Sequence, residues 1–168
     1  MIMASSTTQE TTLYKALILT KDITENKIVV KQADGLTLQH FSYQCGRKRT
    51  ASGVPYGPTV PSYLDFTIRV SAKGQGKVYF ERAGLNMPFR YTFLFNATFD
   101  SKKKNILSDY DDAMIVTGYI VEMEEFFDPP KGESSDEQSL LRCRLLLCSI
   151  SYLGTTGTKP VQLTITED

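Results

Sequence analysis

Hydrophobic and polar residues alternate along much of this chain, most clearly in residues 63–70. The apolar side chains of that segment occupy every second position, at Leu64, Phe66, Ile68 and Val70. A period of two is typical of a β-strand with one buried face and one face in water. Similar patterns predict further strands at residues 13–20, 27–31, 36–45, 89–99, 114–126, 140–153 and 160–166.

The order of these segments predicts the fold class. Consecutive strands with short polar gaps favour a mainly β fold, in which an antiparallel sheet curls into a barrel, over alternating βαβ units. One short α-helix is predicted at about residues 76–86, where Tyr79, Phe80 and Ala83 have helical spacing and Gly84 and Pro88 are stop signals. We expect a disordered N-terminal extension at residues 1–12 and a single barrel domain at residues 13–168.

A polar stretch separates the predicted strands at 36–45 and 63–70. It is an extended inter-strand loop that starts with a basic cluster and continues with glycine and proline. A long loop in a compact domain usually has a function, so one interpretation is an arm that docks on a neighbouring subunit. The other interpretation is a solvated connection. The candidate interface residues are Arg47, Lys48, Arg49, Ser52, Gly53, Pro55 and Tyr56.

The composition argues against nucleic acids and membranes as binding partners. The 168 residues include 19 basic and 19 acidic side chains, so no net charge attracts nucleic acid or a membrane surface. No apolar run is long enough to span a membrane, and the first residues lack the pattern of a signal peptide. We therefore expect a cytoplasmic protein without membrane insertion or nucleic-acid binding. Cys45, Cys143 and Cys148 are expected to be reduced thiols, since three is an odd number and two of them lie in one apolar strand.

Residues suited to catalysis or metal binding are few. His40 is the only histidine, which excludes a multi-histidine metal site within one chain and favours a histidine that is satisfied in the barrel. Gly74, Gly76 and Lys77 do not complete a phosphate-binding motif. We predict no cofactor, no metal and no enzymatic activity. A hydrolase would need a carboxylate pair, and the candidates are Asp109, Asp111, Asp112, Glu122, Glu124 and Glu125.

Several segments resemble one protein family. They comprise Phe41 to Tyr43, then Arg47, then Ser52, Gly53 and Pro55, then a strand ending in Ile68, Arg69 and Val70. The segments that follow are, in order, a helix, a strand, residues 113–128, a polar tip and a closing strand. Together these segments are similar to the Hcp family, the tube proteins of type VI secretion, and particularly to TssD proteins of Bacteroidetes. The resemblance spans roughly residues 28–154.

The resemblance implies a small barrel that assembles into hexameric rings, and these rings stack into a tube that is ejected with effectors. It implies sheath, spike and effector proteins as further partners, and secretion from the cytoplasm without a cleaved signal peptide. It also implies that the loop from Arg47 to Pro58 reaches across ring interfaces. The extension before the barrel and residues 159–168 depart from the compact family pattern. The alternatives are a monomeric ligand-binding barrel and, less favoured, the carboxylate hydrolase.

Overall fold

The computed structural model describes residues 12–20, 28–60, 62–70, 73–100, 102–108, 112–127, 139–156 and 159–164. These residues form one α-helix, α1 at Lys73–Ala83. The strands in chain order are β1 Thr12–Leu19, β2 Ile28–Lys31, β3 Gly35–Tyr43, β4 Gly46–Arg49, β5 Pro55–Val60, β6 Tyr63–Val70, β7 Phe89–Asp100, β8 Asn105–Ser108, β9 Ala113–Phe127, β10 Ser139–Thr156 and β11 Lys159–Thr164.

Six antiparallel strands close into a barrel. Their order is β1, β3, β6, β10, β9 and β7, and β7 then pairs with β1 to complete the ring. The remaining strands extend this sheet, since β8 pairs with β7 and β2 while β11 pairs with β10. The β4 and β5 strands form a separate two-stranded ribbon. The predicted fold class, an antiparallel barrel with one short helix, is confirmed.

The alternating residues of β6 face inward as predicted, since Leu64, Phe66 and Ile68 are fully buried. The Phe66 ring lies 5.5 Å from the Phe93 ring and 6.1 Å from the ring of Tyr79, which α1 contributes. Edge contacts of this kind add to the hydrophobic free energy of burial. The middle of the barrel is therefore filled by aromatic and aliphatic side chains.

Irregularities in strand pairing change which residues face inward. The register between β9 and β10 shifts next to Val121 and again next to Cys148. Leu145 and Leu147 are buried before the second shift and Ile150 after it, so the inward positions change from odd to even numbers. A residue inserted into one strand of an antiparallel pair has this effect because side chains alternate with a period of two.

Some boundaries differ from the sequence prediction. The helix lies at Lys73–Ala83 instead of residues 76–86, because the chain turns at its end with hydrogen bonds from Gly84 N to Glu81 O and from Leu85 N to Arg82 O. The strand β8 was not predicted, and the inter-strand loop contains the β4–β5 ribbon. Ribbon pairing is local and residues 47–57 are all exposed, so this part of the sequence has no alternation to indicate it.

Some predictions lie outside the described residues. These are the N-terminal extension apart from Thr12, where β1 begins, and the polar tip after residue 127. Neither the extension nor the single-domain assignment is tested, and both stay predictions.

Candidate subunit interface

A short hairpin, formed by β4, β5 and residues 50–54 between them, projects from the barrel wall. Gly53 N donates to Thr50 O at 2.9 Å, and Thr50 N donates to Val54 O at 2.9 Å. Gly53 has φ of 89°, a conformation that a side chain disfavours and that this type of turn requires. The Thr50 hydroxyl lies 3.0 Å from Ser52 Oγ and accepts from Val54 N at 3.2 Å. The tip is thus fixed by its own hydrogen bonds.

The stem of the hairpin is irregular. Arg47 pairs with Thr59 and Lys48 with Tyr56, so two residues of β5, Gly57 and Pro58, bulge out between these pairs. Arg47 Nε donates to Gly57 O at 2.9 Å and satisfies a carbonyl that the bulge removes from the ladder. One of the predicted interface arginines therefore also holds the shape of the hairpin.

The hairpin is both exposed and basic. Every residue from 47 to 57 is exposed, and the apolar side chains of Val54 and Tyr56 are 58% and 49% exposed. Residues 44–60 include Arg47, Lys48 and Arg49 and no acidic residue. Apolar side chains at a tip with cations along the stem are suited to docking on another protein.

A polar cleft of about 420 Å³ lies where the hairpin leaves the barrel. Arg144 is at its edge, with Nε 2.9 Å from Asp65 Oδ1 and with its guanidinium 5.3 Å from the centre of the Tyr63 ring. Asp65 raises the pKa of Arg144 above its ordinary value. These contacts tie β6 to β10 directly beneath the hairpin.

Two further groups at the hairpin base have shifted pKa values. The Tyr43 hydroxyl lies 3.5 Å from the Tyr152 hydroxyl, and this hydrogen bond, helped by burial, raises the pKa of Tyr43 to about 12. Burial raises the pKa of Cys45 above its ordinary value, and a hydrogen bond with Ser62 partly opposes this. Both groups are therefore protonated at neutral pH, so Cys45 is not activated as a nucleophile.

The structure brings the predicted interface residues together on this one hairpin. Arg47, Lys48 and Arg49 form β4, Ser52 and Gly53 form the tip, and Pro55 and Tyr56 open β5. The sequence analysis missed Thr50, which organises the turn, and Val54, the most exposed apolar residue of the tip. A threonine three residues before the glycine was the available signal for the turn. The role of these residues in assembly stays a prediction.

The carboxylates proposed for a hydrolase are scattered. Glu122, Glu124 and Glu125 lie on the exposed end of β9, and Glu122 Oε2 is 3.7 Å from Arg144 Nη1. Asp112 accepts a hydrogen bond from Asn96 at 3.3 Å, on another part of the surface. Asp109 and Asp111 lie outside the described residues. Among the residues that the structure describes, no group of three or more His, Cys, Asp or Glu side chains is placed to hold a metal ion.

The remaining candidates for chemistry are the single histidine and the three cysteines. His40 is exposed and pairs with Thr67 on the outer side of the barrel, so the expectation of a satisfied histidine in the barrel is replaced by a surface position. All three cysteines are reduced thiols, as predicted. Burial raises the pKa of Cys143 to about 12, which makes this thiol inert at neutral pH. In the described part of the chain, no helix is long and apolar enough to cross a membrane.

By its fold, the chain therefore belongs to the class of small closed antiparallel β-barrels, with one helix and a projecting hairpin. No family model matches the sequence, and no curated protein matches it either. Eleven chains of solved structures do match the fold. One of them is described as "Crystal structure of Hcp protein", with a TM-score of 0.56, 15% sequence identity, and coverage of 91% of this chain and 98% of that chain. The resemblance to Hcp that the sequence indicated is thus confirmed for the fold.

Proposed function

We propose that this protein is the ring subunit of a type VI secretion tube. In the proposed assembly six copies form a ring, rings stack into a tube, and the contractile apparatus ejects the tube with effectors. The observation that carries this proposal is the match to an Hcp structure over 91% of the chain and 98% of the matched chain. A likeness that includes nearly the whole of both chains supports a shared architecture for the entire subunit.

The hairpin gives the proposal its candidate contact surface. Its tip and stem are exposed in a single chain, yet they are well ordered by internal hydrogen bonds and contain apolar side chains at Val54 and Tyr56. Exposed apolar residues with basic neighbours are typical of a surface that a partner protein covers. In the proposed assembly that partner is another copy of this chain, either within a ring or between rings.

The proposed function assigns no catalytic step to the protein, and it acts by being polymerised and moved. Sheath, spike and effector proteins are its proposed further partners. The chain would be synthesised in the cytoplasm and would leave with the tube, without a cleaved signal peptide. The filled interior of the barrel favours this role over a monomeric ligand carrier, which needs a hollow apolar interior.

The first test is the mass of the purified chain. Sedimentation or light scattering over a wide range of protein concentration should show a species of about six times the monomer mass, because a closed ring forms when each copy docks head-to-tail on the next. Electron microscopy of the same sample checks for rings and stacked tubes. A monomer at every concentration, in low and moderate salt, would contradict the proposal.

The second test asks whether the hairpin is a contact surface. Replacing Arg47, Lys48 and Arg49 together with alanine should weaken association while the barrel stays folded. The matched control replaces Lys102, Lys103 and Lys104, a second exposed basic cluster, located in the turn between β7 and β8. Equal loss in both variants would indicate a general effect of charge, and no loss in the hairpin variant would remove the hairpin from the interface.

A further inference from the structure

One side chain on the outer wall of the barrel, Arg144 of β10, joins three neighbouring strands. Its Nε donates to Asp65 Oδ1 of β6 at 2.9 Å and its Nη2 to Oδ2 at 3.4 Å, and Glu122 Oε2 of β9 lies 3.7 Å from its Nη1. The strand register places Arg144 directly opposite both carboxylates. A guanidinium that meets a carboxylate through two parallel hydrogen bonds has a fixed plane as well as a fixed position. Asp65 therefore orients the guanidinium of Arg144.

The oriented guanidinium lies against the residue at which the hairpin rejoins the barrel. Tyr63 is the first residue of β6, and the centre of its ring is 5.3 Å from the guanidinium of Arg144. A cation at this distance is attracted to the face of an aromatic ring. Tyr63 is 51% exposed, so packing in the core does not fix its ring. The contact with Arg144 is therefore a restraint on this side chain.

The junction between hairpin and barrel has a gap in its strand pairing. Pairing of β3 with β6 stops before residues 44–45, and pairing within the hairpin begins after them. A backbone hydrogen bond from Gln44 N to Tyr63 O crosses this gap, but at 3.4 Å it is long. The side chains of Cys45 and Ser62 add a second hydrogen bond. The polar cleft of about 420 Å³ lies beside the junction and leaves room for the hairpin to tilt.

We propose that Arg144 is a positioning residue, which sets the angle at which the β4–β5 hairpin leaves the barrel. It acts through Tyr63, because Asp65 orients the guanidinium and the guanidinium holds the Tyr63 ring at the junction. The part of this inference that concerns assembly rests on the proposed function, in which the hairpin is a contact surface. Each copy must then present its hairpin at the same angle for a ring to close, and a pre-oriented hairpin loses less conformational entropy on docking.

The first variant is Arg144→Lys, which keeps the charge but loses the planar fork that Asp65 orients. Amide exchange at Gln44, whose N–H donates to Tyr63 O, should become roughly threefold to tenfold faster. Exchange at Gly53, inside the turn, should keep the parent rate, because the hairpin tilts as a unit. Association should weaken by a similar factor of roughly threefold to tenfold. Urea denaturation should show nearly the parent's stability, since no core contact is lost.

The matched control is Arg142→Lys. Arg142 lies two residues earlier on the same face of β10, is exposed, and stands opposite Thr67 and Glu124, farther from the hairpin. The control should leave both exchange at Gln44 and association unchanged. Equal effects of the two arginine variants would overturn the specific role of Arg144.

A third variant, Tyr63→Leu, tests whether Arg144 acts through the aromatic ring. It removes the face of the ring but keeps an apolar side chain, and it should speed exchange at Gln44 as Arg144→Lys does. The chain with both changes should differ little from either single variant, because each change removes the same contact. Additive effects, or the parent's exchange rate at Gln44 in Arg144→Lys, would overturn the inference.

The two measurements separate this inference from the proposed function. A parent chain that is monomeric at every concentration would overturn the proposed function, while exchange at Gln44 would still decide the role of Arg144. In a chain that forms rings, faster exchange at Gln44 with unchanged association would overturn the link between hairpin angle and assembly.

Discussion

The barrel and the β4–β5 hairpin are held together by different means. In the barrel, strands far apart in sequence pair around a closed ring, and their inward side chains form one continuous apolar core. In the hairpin, neighbouring residues pair with one another, and every residue from 47 to 57 is exposed. The barrel is thus stabilised by burial, and the hairpin by turn geometry and local hydrogen bonds.

Because of this difference, we expect folding and the proposed assembly to depend on different residues. A two-stranded ribbon whose residues 47–57 are all exposed is marginally stable alone, so it needs support from the barrel. The barrel supports the hairpin at its base, where Leu147 N donates to Ser62 O at 2.9 Å and Gln44 N to Tyr63 O at 3.4 Å. Substitutions in the barrel should therefore change the free energy of unfolding, and those in the hairpin should mainly change association.

The largest effect is expected for Phe66→Ala. Phe66 is fully buried and touches the rings of Tyr79, Tyr91 and Phe93, so its removal should lower the free energy of unfolding by about 3 to 5 kcal/mol. The measurement is urea denaturation at low protein concentration, where association contributes least. The control Phe80→Ala removes a ring that is 69% exposed and should change the same quantity by less than about 0.5 kcal/mol. Equal effects would mean that the barrel core is not where stability resides.

The next largest effect is expected for Gly118→Ala in β9. A methyl group at this position would lie 2.6 Å from the backbone oxygen of Leu146, so β9 and β10 would have to move apart. Overpacking of this kind costs about 1 to 3 kcal/mol, which urea denaturation would detect. A variant as stable as the parent would show that the two strands separate easily at this point.

The sequence predicted the barrel well because its signal is the alternation that burial requires. Residues 63–70 are the clearest case, and their four apolar positions are all buried. The inward positions after Val121 and Cys148 were not predictable in this way, since a register shift depends on the partner strand and leaves no periodic signal.

The candidate interface was predicted as a set of residues but not as a structure. The basic cluster and the residues Ser52, Gly53, Pro55 and Tyr56 were identified by position and chemistry, whereas the ribbon that they form was not. Strand prediction relies on apolar alternation, and β4 contains only glycine and basic residues.

A smaller effect on the stability of the barrel is expected at high pH, where the buried thiol of Cys143 ionises in the unfolded chain. Burial raises the pKa of this thiol from 9.0 to about 12 in the folded protein. The thiol is protonated in both states below pH 9. As the pH rises from 9 towards 12 the unfolded chain ionises first, so the free energy of unfolding falls. The loss reaches about 1.4 kcal/mol near pH 10. Cys143→Ala should be less stable at pH 8 but should lack this part of the alkaline slope in urea denaturation. An unchanged slope would assign the alkaline loss to other groups.

The smallest effect on the barrel is expected for Gly53→Ala at the hairpin tip. A methyl group there meets no atom within 4 Å, but φ of 89° is unfavourable for alanine by about 1 to 2 kcal/mol. The strain should open the turn and speed amide exchange at Val54, whose N–H donates to the Thr50 hydroxyl. The free energy of unfolding of the barrel should change by less than about 0.5 kcal/mol, since local opening of the turn releases the strain and no core contact is lost. Gly76→Ala is the matched control in α1 and should leave exchange at the tip unchanged. If Gly53→Ala instead destabilised the whole barrel, the hairpin would belong to its cooperative core and the separation of folding from assembly would fail.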